Sequence, residues 1–163
     1  MNKKRILVVD DEIGFTRLLK LNLEQTNDYD VRIENRPAHA LNAAREFGPD
    51  LVLLDVLMPG MFGADVAVGL RADARFKSTP IVFITAAVSK TRVKENDGLI
   101  SGFPFLAKPS SVEEVIEQIE QRLAALRPIA ERNGAAGRAN VLLPDLPRND
   151  SRRDLYDLRE AVC

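Results

Sequence analysis

The chain has 163 residues, with 23 basic against 24 acidic side chains and a formal net charge of −1. That length suffices for one well-buried domain plus an appendage, and the balanced charge gives no global basic excess of the kind that draws nucleic acid. Aliphatic runs reach only four residues, against the roughly 20 of a spanning helix; the basic start lacks a signal peptide's apolar region; and the only cysteine, Cys163, excludes an internal disulfide framework, so the expectation is a cytoplasmic protein with no membrane partner.

Ile6-Leu7-Val8-Val9 reads as a first buried strand, ending at Asp10-Asp11. A helix follows, with Phe15, Leu18, Leu19 and Leu23 on one face. After an Asn27-Asp28 turn, residues 29–34 form a modest strand with Val31 and Ile33 alternating. Leu41, Ala44 and Phe47 mark the inner face of a second helix, stopped by Gly48-Pro49. His39, near its start, is expected at the surface and away from the acids. Leu51-Val52-Leu53-Leu54 is a strand buried on both faces, of the kind a parallel sheet needs. Asp55 ends it, and Pro59-Gly60 then breaks regular structure.

A third helix is suggested by Val66, Ala67 and Leu70, weakened by Gly69, and Ile81-Val82-Phe83-Ile84 is a fourth buried strand ending at Thr85. Residues 88–102 have no helical spacing, so the fourth helix is expected to be short, irregular or absent; Asn96-Asp97-Gly98 is a turn signal that would suit a small hairpin. Residues 103–107 form a fifth strand ending at Lys108-Pro109. The last helix is the clearest. Ser110 or Ser111 caps it, Glu113 and Glu114 sit at capping-box distance, and Val112, Val115, Ile116, Ile119, Leu123 and Leu126 form its inner stripe. Residues 128–163 are too few for a core of their own and read as a mostly flexible tail, with a short helix suggested at 151–162 by Leu155, Leu158 and Val162.

Alternating strands and helices imply an α/β fold, an open parallel sheet with helices on both faces. In such a sheet all strand C-termini share one edge, where ligands bind. Asp10, Asp11, Asp55, Thr85 and Lys108 all fall there. Three gathered carboxylates repel one another, and a hard divalent ion, Mg²⁺ or Mn²⁺, relieves that repulsion. Acids for a metal, an acid as nucleophile, and a lysine and hydroxyl for an anionic group amount to phosphoryl transfer onto Asp55.

The chain here resembles the receiver domain of two-component response regulators, over about residues 4–127. Val8-Val9-Asp10-Asp11 looks like the family's acidic pair, and Leu53 to Gly60 like its phosphoacceptor block, with Gly63 closing the loop. Ile84-Thr85-Ala86 looks like the switch-hydroxyl strand, and Leu106-Ala107-Lys108-Pro109 like the lysine corner. The resemblance implies a flavodoxin-like fold with five strands in the order 2-1-3-4-5, and a receiver domain over residues 1–127. Asp55 would become an aspartyl phosphate. Asp11 and Asp55 would hold Mg²⁺ directly, Asp10 through water, and the Leu57 carbonyl would complete the set. Lys108 would pair with the phosphoryl group, Thr85 would move inward to bond it, and Phe105 matches the aromatic that swings with that hydroxyl. A cis Lys108–Pro109 bond is implied as well.

The implied partners are a histidine kinase or histidine phosphotransfer protein upstream and an unidentified protein downstream, with no nucleic acid, the chain acting as a monomer or weak homodimer. The expected function is a single-domain phosphorylation switch rather than an enzyme. Leu57 and Ala87 stand where some relatives carry polar groups that orient the hydrolytic water, so slow self-dephosphorylation is expected. The weak fourth helix leaves dimerisation through that face in question. Two alternatives are an interaction scaffold with vestigial phosphorylation, and a Mg²⁺-dependent aspartyl phosphatase. The latter should carry a second acid two residues after its nucleophile, where this chain has Leu57. A single Gly14 after the first strand, instead of a glycine-rich cradle, argues against a nucleotide site.

Overall fold

The computed structural model describes residues 2–87, 89, 91, 99, 100 and 103–126. The tail, its suggested helix at 151–162 and the 96–98 turn lie outside the described residues, as does most of 88–102. In chain order the elements are β1 (Lys4–Val9), α1 (Ile13–Gln25), β2 (Tyr29–Glu34), a single 3₁₀ turn (Pro37–His39) running into α2 (Ala40–Phe47), β3 (Leu51–Leu54), β4 (Leu57–Met58), β5 (Met61–Phe62), α3 (Gly63–Ala72), β6 (Ile81–Thr85), β7 (Leu99–Ile100), β8 (Phe103–Ala107) and α4 (Val112–Ala125).

The main sheet runs β2-β1-β3-β6-β8-β7. Its first five members are parallel, which is the expected 2-1-3-4-5 order with β6 and β8 as the fourth and fifth strands. β7 adds an antiparallel edge that the sequence did not place there, Leu99 facing Pro104 and Ile100 facing Phe103. Pro104 is tolerated because it lies near the start of β8, where one missing donor costs little.

The central strands β1, β3 and β6 bury both faces along most of their length, and strict alternation divides the core in two. Leu7, Val9, Val52, Leu54, Ile81, Phe83 and Phe105 face α2 and α3. Ile6, Val8, Leu51, Leu53, Val82, Ile84 and Leu106 face α1 and α4. Each fully buried aliphatic side chain contributes about 1.5–3 kcal/mol. On α2 the inner row is Ala40, Ala43 and Ala44, while Leu41 and Phe47 pack half-buried at its flanks. Small residues there let the helix approach the sheet closely.

Two apolar stripes differ from expectation. On α1 the buried residues are Thr16, Leu19 and Leu23, and Leu18 is turned outward, 59% exposed. Thr16 can take an inner position because its hydroxyl donates to the Ile13 carbonyl and accepts from Asn35 Nδ2 at 3.0 Å. On α4, Leu126 sits at the C-cap and is exposed, whereas Val115 and Ile119 are buried. Ser111 is the cap of α4, its hydroxyl accepting from the Glu114 amide while Glu114 reaches back to the Ser111 amide.

Candidate functional site

Register puts the polar residues together. Val9 lies opposite Leu54, and Thr85 opposite Ala107. Asp10, Asp55 and Lys108 therefore each follow the last ladder residue of their strands, β1, β3 and β8. The amide of Asp55 donates to the Val9 carbonyl at 2.9 Å and that of Lys108 to the Thr85 carbonyl at 2.8 Å. The ladder thus fixes the root of each functional side chain, and the loops beyond decide where its tip goes.

After β3 the chain turns sharply back. Leu57 pairs with Phe62 and Met58 with Met61 in a small antiparallel hairpin. Its corner is Pro59-Gly60, with Gly60 at φ 79°, a conformation open to glycine and strained for other residues. Gly63 then begins α3 hard against the Asp55 backbone: a Cβ at this position would lie 2.1 Å from the Asp55 carbonyl oxygen. The Gly63 amide donates to the Val56 carbonyl at 2.8 Å, sealing the loop.

Asp10 is wholly buried, Asp55 nearly so, and Asp11 exposed. One oxygen from each of the three lies within 4.8 Å of the others. Asp10 Oδ1 accepts from the Glu12 amide at 2.8 Å, and its Oδ2 from Lys108 Nζ at 2.5 Å. Asp55 Oδ1 accepts from the Val56 amide at 2.7 Å, and its Oδ2 stands 3.7 Å from Lys108 Nζ. Burial pushes both carboxyls above the usual carboxylate range; Lys108 pulls each partly back, and the Thr85 hydroxyl contributes to Asp55. One ammonium cannot neutralise two buried acids with a third beside them. An all-oxygen site with this charge deficit suits a hard divalent cation.

The other expected residues are also placed. Thr85 is buried and its Oγ1 accepts from the Ala87 amide at 3.2 Å. Leu57 and Ala87 are exposed at the mouth. Phe105 is buried and stacked on Phe83, centroids 5.1 Å apart, with Phe103 edge-on to Phe83 at 5.7 Å. The Lys108–Pro109 bond is cis. His39 is exposed.

Two residues of the site were not legible beforehand. Asn35, just past β2, donates to the Asp10 carbonyl at 2.7 Å and so anchors the acid loop; its position at the end of a parallel strand was the available signal. Phe15, assigned to the apolar face of the first helix by spacing, has the Lys108 ammonium over its ring.

An open parallel sheet bearing acids, a hydroxyl and a lysine along its strand-end edge defines a doubly wound α/β protein with a charged pocket at its rim. More particularly, the chain belongs to the response regulator receiver domain family, whose sequence pattern matches residues 6–120. The DNA-binding response regulator MtrA of Mycobacterium tuberculosis is 38% identical over 122 residues, covering 74% of this chain and 51% of MtrA. This chain thus spans about half the length of the curated relatives it matches. Among solved structures, the chemotaxis response regulator CheY4 of Vibrio cholerae superposes with a TM-score of 0.62 at 26% identity, covering 74% of this chain and 99% of that one. A response regulator from Chloroflexus aurantiacus gives 0.63 at 27%, covering 76% and 99%. No helix among the described residues is long and apolar enough to cross a membrane.

Proposed function

We propose that this receiver accepts a phosphoryl group on Asp55 from a phosphohistidine of a histidine kinase or histidine phosphotransfer protein, and signals by a change in the protein surface it presents. The observation that carries this reading is the convergence of Asp10, Asp11 and Asp55 within 4.8 Å, with Lys108 Nζ 3.7 Å from Asp55. In the step itself an Asp55 carboxylate oxygen attacks phosphorus, a P–O bond forms, the donor's P–N bond breaks, and the imidazole leaves. Asp11, Asp55 and the Leu57 carbonyl would hold Mg²⁺ or Mn²⁺, with Asp10 acting through water. The ion supplies charge neutralisation for the phosphoryl oxygens.

Lys108 pairs with one of those oxygens, moving its charge from Asp10 toward the new anion. Thr85 offers its hydroxyl to another. Phe105, buried and stacked on Phe83, would adjust its packing with that hydroxyl. Exposed Leu57 and Ala87 themselves offer no polar group to orient a hydrolytic water, which favours a long-lived aspartyl phosphate. The protein thereby assists its own phosphorylation without being an enzyme toward other substrates. The signal passes by protein–protein contact: phosphorylation adds about −1.5 to −2 charge, enough to bias two nearby conformations.

Mass spectrometry after incubation with Mg²⁺ and a small phosphodonor tests the chemistry. One added phosphoryl group in the wild type and none in Asp55→Asn is the expected result. An unmodified wild type, or an equally modified Asp55→Asn, overturns the proposal.

A further inference from the structure

Lysine is a poor choice for a fixed charge unless something holds it. Its ammonium rides on a flexible four-carbon stem, and backbone register secures only the root. In this site the Lys108 side chain is 12% exposed, its Nζ bonds Asp10 at 2.5 Å, and it lies 3.7 Å from Asp55. A third contact comes from a different element. The ammonium sits over the Phe15 ring, 4.2 Å from its centroid, well inside the roughly 6 Å reach of a cation–π interaction. Phe15 is half-buried on α1 and packs against the core beneath it. An aliphatic side chain would fill the same gap but would offer the ammonium no negative face.

We propose that Phe15 is a positioning residue of the site: its ring face holds the Lys108 ammonium beside Asp10 and Asp55, where it meets the oxygens of an incoming phosphoryl group. The functional half of this inference rests on the phosphoacceptor reading above; the positional half does not. The ring stands in for part of the water that the ammonium has lost. It also ties the lysine corner after β8 to the first turns of α1, so that the acid loop and the lysine share one support.

The test uses the full chain with isotopically labelled lysine, as wild type, Phe15→Leu and Phe15→Tyr, each checked for folding by thermal denaturation. In the wild type the Lys108 methylene protons next to the ammonium should show an upfield ring-current displacement. Phe15→Leu should abolish it and Phe15→Tyr keep it. With Mg²⁺ and beryllofluoride as the phosphoryl mimic, Phe15→Leu should bind about 2- to 30-fold more weakly, the range a cation–π contact commands between exposed and desolvated settings, and Phe15→Tyr should bind like the wild type. A wild-type resonance without displacement, Phe15→Leu binding like wild type, or Phe15→Tyr failing as badly as Phe15→Leu overturns the proposal. A displaced wild-type resonance in a protein that takes neither beryllofluoride nor a phosphoryl group would instead remove the phosphoacceptor reading and leave the placement of Lys108 standing.

Discussion

Asp10 and Asp55 are held in a state of tension that only a cation or a proton relieves. Burial raises both carboxyls, so the fold favours their protonated forms. For an acid raised on folding, the favourable contribution is present below its unfolded value, about 4. It is lost as pH rises through the raised folded value. At neutral pH the ion-free protein therefore carries a destabilising pair. We predict that Asp55→Asn is more stable than the wild type near pH 7 without Mg²⁺, and that the difference shrinks toward pH 4. Saturating Mg²⁺ should restore the wild type, by about 2.7 kcal/mol at a hundredfold excess over Kd, and leave Asp55→Asn nearly unchanged. Urea denaturation across pH with and without the ion measures both. Beside them, Gly63 is set by space alone. A Cβ 2.1 Å from a backbone oxygen cannot be met by rotating a side chain. Gly63→Ala should cost about 1–3 kcal/mol or more in denaturation and slow phosphorylation of Asp55, because the loop carrying the acid must shift. At this scale the sequence disclosed the acids, the hydroxyl and the lysine, since each follows a strand's apolar run. It hid Phe15, because one spacing rule serves both a core aromatic and a support for a cation.

Elements were read well wherever hydrophobic period decided them, and less well where a polar group intervened. β1, β3, β6 and α4 follow from their apolar runs. The outward turn of Leu18 does not, because Thr16 earns its inner place through hydrogen bonds to Ile13 and Asn35 that no periodicity encodes. The two-residue strands β4 and β5 escaped for a different reason: a turn signal was evident, but a ladder that short leaves no alternation to detect. At the opposite end of the sheet from the acids, α4 is fastened by a polar contact. The Tyr29 hydroxyl donates to Glu120 Oε1 at 2.5 Å, and Lys4 Nζ reaches both Glu120 oxygens at 2.7 and 2.6 Å. Burial and then the neighbouring carboxylate push the Tyr29 phenol well above its usual value. A raised acid of this kind stabilises the fold fully below about pH 10, its ordinary value, and that contribution fades as pH climbs further. Tyr29→Phe should lose about 1 kcal/mol at neutral pH and show a flatter alkaline limb in a denaturation series. An alkaline limb identical to the wild type's would refute the assignment.

Among the described residues, the parallel sheet gathers its acids, hydroxyl and lysine at one rim, and a polar contact at the opposite rim fastens α4. The five-strand order was inferred from family likeness rather than from residue pattern, because period and punctuation identify strands without saying which lie side by side. The added edge strand β7 was invisible for the same reason: two residues pairing with the start of β8 carry no signature of their own. Between those limits, the convergence of the acids was legible because a parallel sheet leaves its strand ends only one place to go. The tight seat of Gly63 against the Asp55 carbonyl has a mechanical corollary. With no slack between the acid's own backbone and the first turn of α3, a shift of that peptide would press directly on the start of the helix. Such a push would carry a displacement at the rim toward the far end of α3 by leverage alone.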